Sequence, residues 1–103
     1  MTEIQDYAAK IAERFQPEKI ILFGSQARGS SNRNSDVDIL VLMKYEGSGM
    51  RQAVKIRQEV RSTFPLDLVV RHPEEFGDGS SQLSYFLRNI RHDGIVLYDR
   101  GNS

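Results

Sequence analysis

Residues 20–43 read IILFGSQARGSSNRNSDVDILVLM. Two apolar runs, Ile20 to Phe23 and Ile39 to Met43, flank a small polar loop. Short apolar runs bounded by turn residues predict buried strands, here over 18–23 and 36–43. Chemistry stands at both rims of the loop. Gly24-Ser25 closes the first run, ten residues follow, and Asp36-x-Asp38 opens the second. A third run, Leu66-Asp67-Leu68-Val69-Val70, predicts another strand that carries an acid among apolar neighbours.

Outward from this stretch the pattern alternates between helix and strand. Ile4, Tyr7, Ala8, Ile11, Ala12 and Phe15 recur at steps of three and four, which predicts an amphipathic helix over 3–15 ended by Pro17. Ser25 to Arg28 reads as a helical turn, and 29–35 as a turn-rich loop. Met50, Ala53, Val60 and Phe64 predict a helix closed by Pro65, with Arg51, Lys55, Arg57 and Arg61 on its solvated face. The stretch 72–81 reads as irregular. Leu83, Phe86, Leu87 and Ile90 mark another helix that ends at Gly94, and 95–98 a last strand. This order implies an α/β (α+β) fold: a single mixed sheet of about four strands with helices packed against it, in one domain spanning 1–103. His72 and His92 lack metal-ligand spacing and read as surface residues. Tyr45, Tyr85 and Tyr98 read as packing or edge residues.

Composition removes several classes of function. There are 103 residues, which suits one domain. Cysteine is absent, which excludes disulfides and thiolate metal sites. Fourteen basic and fourteen acidic residues give a formal net charge of zero. A nucleic-acid partner is therefore not expected, since no overall field gathers a polyanion. The start, MTEIQDYAAK, has neither the basic region nor the apolar run of a signal peptide, and no stretch is long enough for a membrane span. The expected setting is cytoplasmic.

The polar groups at the two rims suit a triphosphate and a divalent cation. Gly24 lets a phosphate approach the backbone, and Ser25 adds a hydroxyl and an N–H at a helix start. Arg28 and Arg33 are placed to neutralise further charge. Gly24 and Gly29 have the spacing of a Walker A loop, but Ser30 stands where its lysine belongs, so that reading fails. On a strand, Asp36 and Asp38 project to one face, close enough to share magnesium, and Asp67 supplies a third carboxylate if its strand pairs with theirs. Each half also has a plainer reading. Gly24-Ser25 alone is an ordinary strand-to-helix turn, and Asp36-x-Asp38 alone is a strand opening at its solvated end. Asp67 favours the metal site, because an acid among apolar strand residues is costly unless solvated or liganded.

Taken together, Gly24-Ser25, Asp36-x-Asp38 and Asp67 resemble the nucleotidyltransferases of the DNA polymerase beta superfamily, and the short length resembles its minimal, antitoxin-type members. The resemblance covers nearly the whole chain and is clearest from Ile20 to Val70. It implies transfer of a nucleoside monophosphate, AMP from ATP, to a hydroxyl with two Mg2+ ions. It assigns Gly24 and Ser25 to the β and γ phosphates, Asp36 and Asp38 to both metals, and Asp67 to the acceptor-side metal and the acceptor's proton. On this resemblance, no counterpart is expected here to the helical domain that holds base and acceptor in larger relatives. By resemblance, the partner is then a helical HEPN-type toxin, silenced by adenylylation of a tyrosine. Two other expectations compete with this one. One is a non-catalytic module that neutralises its partner by covering it. The other is a nucleotidyltransferase acting on RNA or a small molecule.

Overall fold

The computed structural model describes residues 2–29, 36–77 and 85–102. Four strands form one sheet in the order β3-β2-β1-β4. They are β1 (Lys19–Phe23), β2 (Val37–Leu42), β3 (Leu66–Arg71) and β4 (Ile95–Asp99). β1 runs antiparallel to β2 and to β4, whereas β2 and β3 run parallel, so the sheet is mixed as expected. A parallel pair needs a crossover connection. That crossover is α3 (Gly49–Glu59).

Period-two alternation divides the strands between two cores. On one face Ile20, Leu22, Ile39, Val41, Leu68 and Val70 meet Ile4, Tyr7 and Ile11 of α1 (Thr2–Phe15) and Ala53 and Ile56 of α3. On the other, Ile21, Phe23, Leu40 and Leu42 meet Ile90 of α5 (Tyr85–Asp93), with Val69 packed alongside. α1 stops where Gln16 takes a left-handed φ of 49° and its N–H closes on the Ala12 carbonyl at 3.0 Å. Pro17 follows and cannot continue the helix.

Several elements depart from the expected boundaries. The helix expected to run to Phe64 ends at Glu59, because Val60 turns extended and its carbonyl accepts the Tyr7 hydroxyl at 2.9 Å. Phe64 leaves the helical stripe and packs edge-on to the Tyr7 ring, with centroids 5.6 Å apart. Met50 is not core but 79 % exposed, and Ile56 takes the buried position. At the helix start the Ser48 side chain caps the Arg51 N–H at 3.1 Å. The region expected to be irregular contains α4 (Pro73–Gly77). Its start carries one half of a capping box: Pro73 occupies the first turn, and the Glu75 carboxylate accepts the His72 N–H at 3.0 Å. His72 is half-buried rather than at the surface, its ring stacked on Tyr45 with centroids 4.0 Å apart. Leu83, expected on the last helix, lies outside the described residues. No helix among the described residues is long and apolar enough to cross a membrane.

Candidate active site

The site is assembled by strand register. Asp38 and Asp67 are direct partners across the parallel pair β2/β3. Neighbouring strands lie about 4.8 Å apart, so the two carboxylates leave the sheet side by side. Alternation sends both to the face of Leu40 and Val69, away from the α1/α3 core. Asp67 is exposed and Asp38 half-buried. This is how an acid is tolerated within an apolar strand: its carboxylate reaches solvent at the strand end.

The two strand starts are tied together. The Val37 N–H donates to the Pro65 carbonyl at 2.9 Å, so the approach to β2 and the approach to β3 cannot drift apart. Tyr7 braces the same region from the other face through its bond to Val60 and its ring contact with Phe64. Burial raises the Tyr7 phenol above its ordinary pKa, while the nearby Arg57 guanidinium opposes the shift, and the phenol remains a donor. Spacing alone could not reveal this brace. Tyr7 reads as one more apolar residue of a helical stripe, and its partner lies 53 positions away.

Gly24 completes the arrangement. Phe23 pairs with Asp38 across β1/β2, which brings the next residue against the Asp38 side chain. A Cβ built at Gly24 would run into the Asp38 carboxylate. The backbone there also has φ +77°, a conformation that L side chains resist. Gly24 thus leaves a cradle open beside a carboxylate. α2 (Ser25–Arg28) begins at the next residue, so the backbone of Ser25 sits at this rim. The side chains of Ser25 and Arg28, and all of Arg33, lie outside the described residues.

Asp36 is exposed and sits one residue before β2, just off the regular strand. Among the described residues no group of three or more His, Cys, Asp or Glu is gathered into a metal-binding array. Register sets Asp38 and Asp67 next to each other, and Asp36 lies two residues before Asp38, outside the regular strand. The donor chemistry suits a hard divalent cation, which takes a few carboxylates and completes its shell with water and phosphate.

A family model described as "Nucleotidyltransferase domain" matches residues 4–97, nearly the whole chain. The chain belongs to the nucleotidyltransferase domain family. Solved structures agree on the nucleotidyltransferase fold. A candidate nucleotidyltransferase from Sulfolobus solfataricus is similar at a TM-score of 0.63 and 20 % identity, covering 99 % of this chain and 82 % of that one. A toxin-antitoxin solved with AMP-PNP is similar at 0.59 and 24 % identity, covering 95 % and 75 %. A toxin-antitoxin MntA-HpeT variant is similar at 0.58 and 21 % identity, with the same coverage, and carries two aspartates two positions apart replaced by glutamate. No curated protein matches the sequence. The expected fold class and the expected enzyme class, nucleotidyltransferase, are both met.

Proposed function

We propose that this nucleotidyltransferase moves AMP from ATP to a protein hydroxyl, a tyrosine of a helical HEPN-type toxin partner, and so acts as an antitoxin. The observation that carries this reading is the in-register Asp38–Asp67 pair beside the Gly24 cradle. Two neighbours support it: the AMP-PNP complex bears on the nucleotide, and the MntA variant replaces two aspartates with the spacing of Asp36-x-Asp38. A cytoplasmic setting and a single minimal domain over 1–103 go with this reading.

Asp36, Asp38 and Asp67 would hold two Mg2+ ions, which supply Lewis acidity at the α-phosphate and the departing oxygen. Gly24 admits the β and γ phosphates close to the backbone, and Ser25 donates its N–H and hydroxyl to them. Arg28 and Arg33 neutralise the remaining phosphate charge. Asp67 orients the acceptor hydroxyl and helps remove its proton. A bond forms between the acceptor oxygen and the α-phosphorus, the bond to the bridging oxygen breaks, pyrophosphate leaves, and the acceptor proton passes to Asp67 and then to solvent.

The test uses ATP labelled at the α or γ position, incubated with candidate acceptor proteins, RNA and small molecules, each product resolved by mass. Label from the α position on a tyrosine is expected. Label from the γ position would make the chain a kinase, and α label confined to RNA or a small molecule would overturn the protein acceptor. Asp67→Asn should keep magnesium-ATP-analogue binding in calorimetry while transfer falls about 10²-fold. Transfer at the wild-type rate would remove Asp67 from the site. A non-catalytic covering module would neutralise the toxin equally well when Asp36 and Asp38 are both replaced by Asn.

A further inference from the structure

A groove of about 440 Å³ opens on the α1/α3 side of the sheet, beside the start of β3. Tyr7, Val54, Arg57, Gln58, Arg61 and Ser62 line it. Two arginines line this space and, among the described residues, no acid does; Arg61 also borders an adjoining groove that holds Glu3, Asp6 and Lys10. Among the described residues neither Arg57 nor Arg61 makes an ion pair with a carboxylate. Arg57 and Arg61 are four residues apart, and both are exposed. One turn before Arg57, Val54 is 49 % exposed, and Met50, another turn back, is 79 % exposed. Two apolar residues followed by two cations with no carboxylate partner among the described residues therefore run along one side of α3 and into the turn after it.

We propose that this groove docks an acidic, amphipathic segment of a protein partner, with carboxylates on Arg57 and Arg61 and apolar side chains on Val54 and Met50. Charge complementarity identifies the occupant: guanidinium forks match carboxylates in bidentate geometry. A nucleic acid fits less well. The exposed apolar residues offer it nothing, the ring of Tyr7 is buried and not available for stacking on a base, and the net charge is zero.

The groove also has a position relative to the carboxylates. Leu66 lines it, and the next residue is Asp67 on the opposite face of the same strand end. Among the described residues β3 is an edge strand of the sheet, so a partner reaching round it crosses no further strand. On the transfer reading above, a partner held here is brought to the rim where its hydroxyl reacts. That step alone rests on the proposed function; the docking does not.

The probe is a fluorescent helical peptide with two glutamates one turn apart, two leucines on the adjacent turns and one tyrosine. Its anisotropy is read against the full chain. Wild type should bind it, weaken with added salt, and prefer it to an oligothymidylate of equal charge. Arg57→Glu/Arg61→Glu should lose at least about 10-fold in peptide affinity while keeping wild-type affinity for a magnesium-ATP analogue. Arg57→Gln/Arg61→Gln removes the charge without reversing it, should lose affinity in the same direction, and serves if the reversed chain does not fold. Asp67→Asn should bind the peptide like wild type. Equal peptide affinity of wild type and both arginine variants, or tighter binding of the oligothymidylate, overturns the proposal. Peptide docking without α-label transfer would leave the groove standing and count against the transfer reading.

Discussion

The two faces of the sheet carry different groups. On one, α1 and α3 bury a continuous core that reaches from Ile4 to Val70. On the other, the buried set among the described residues is Ile21, Phe23, Leu40, Leu42 and Ile90. Asp38 and Asp67 belong to this second, carboxylate face, and Val37 and Leu66, their chain neighbours, to the core face. The division is chemical. A carboxylate under the core face would lose its water and have no cation in return. On the carboxylate face Asp67 is exposed and Asp38 half-buried, while the backbone is clamped from behind. Core packing and the carboxylate pair thus come from alternate residues of the same strands, and a one-residue register slip would exchange them.

The largest effect expected is Asp38→Asn. On the proposed mechanism transfer should fall about 10³-fold, or about 4 kcal/mol at the transition state, with little change in melting temperature. A labelled-ATP assay beside thermal unfolding measures both. A large loss of stability with transfer retained would break the division of labour between faces.

A truncation on the core face should do the reverse. Ile11 is fully buried, and Ile11→Ala should cost about 3–4 kcal/mol in urea unfolding. Activity per folded molecule should be unchanged. Ile90 on the carboxylate face is buried as well, and Ile90→Ala should cost about 2–4 kcal/mol. Equal costs would mean that the two faces contribute alike to stability.

Gly24 sharpens the comparison, because Gly47 is a matched control. Both have φ +77°, but a Cβ at Gly24 meets the Asp38 carboxylate whereas one at Gly47 meets nothing within 4 Å. Gly24→Ala and Gly47→Ala should each lose about 1–2 kcal/mol of stability from the left-handed backbone. Gly24→Ala alone should also lose transfer and nucleotide affinity. Equal transfer in the two variants would show that the cradle has no part in the reaction.

Tyr7→Phe is the smallest change. It deletes the hydroxyl bonded to Val60 and keeps the ring against Phe64, so stability should drop by about 1 kcal/mol. A larger loss of transfer than of stability would show that the brace positions Asp67 rather than merely holding the turn.

Local pattern carried the four strands, the first helix and the mixed-sheet class, because apolar runs and period-3.6 stripes need no knowledge of their partners. It failed where a distant group intervened. Met50 fits the helical stripe, yet the helix turns it to solvent and gives the core position to Ile56. Phe64 has helical spacing, yet the Tyr7 hydroxyl takes the Val60 carbonyl and the helix ends at Glu59. α4 went unread because its capping residues, His72, Pro73 and Glu75, carry no apolar periodicity.

The sequence by itself determined which groups meet at the rim: Gly24 after one strand, Asp38 in the next, and Asp67 in a third, each facing as alternation requires. Only the tertiary structure decided that Asp67 lies directly beside Asp38, since strand order and register depend on how α3 crosses over and what it buries. It alone placed Asp36 outside the strand and brought Gly24 against the Asp38 carboxylate. It alone left Arg57 and Arg61 facing a groove without an acid among the described residues. The reason is common to all four. Spacing along the chain fixes the direction of a side chain relative to its own backbone, but distance between elements is set by the packing of cores that no local segment contains.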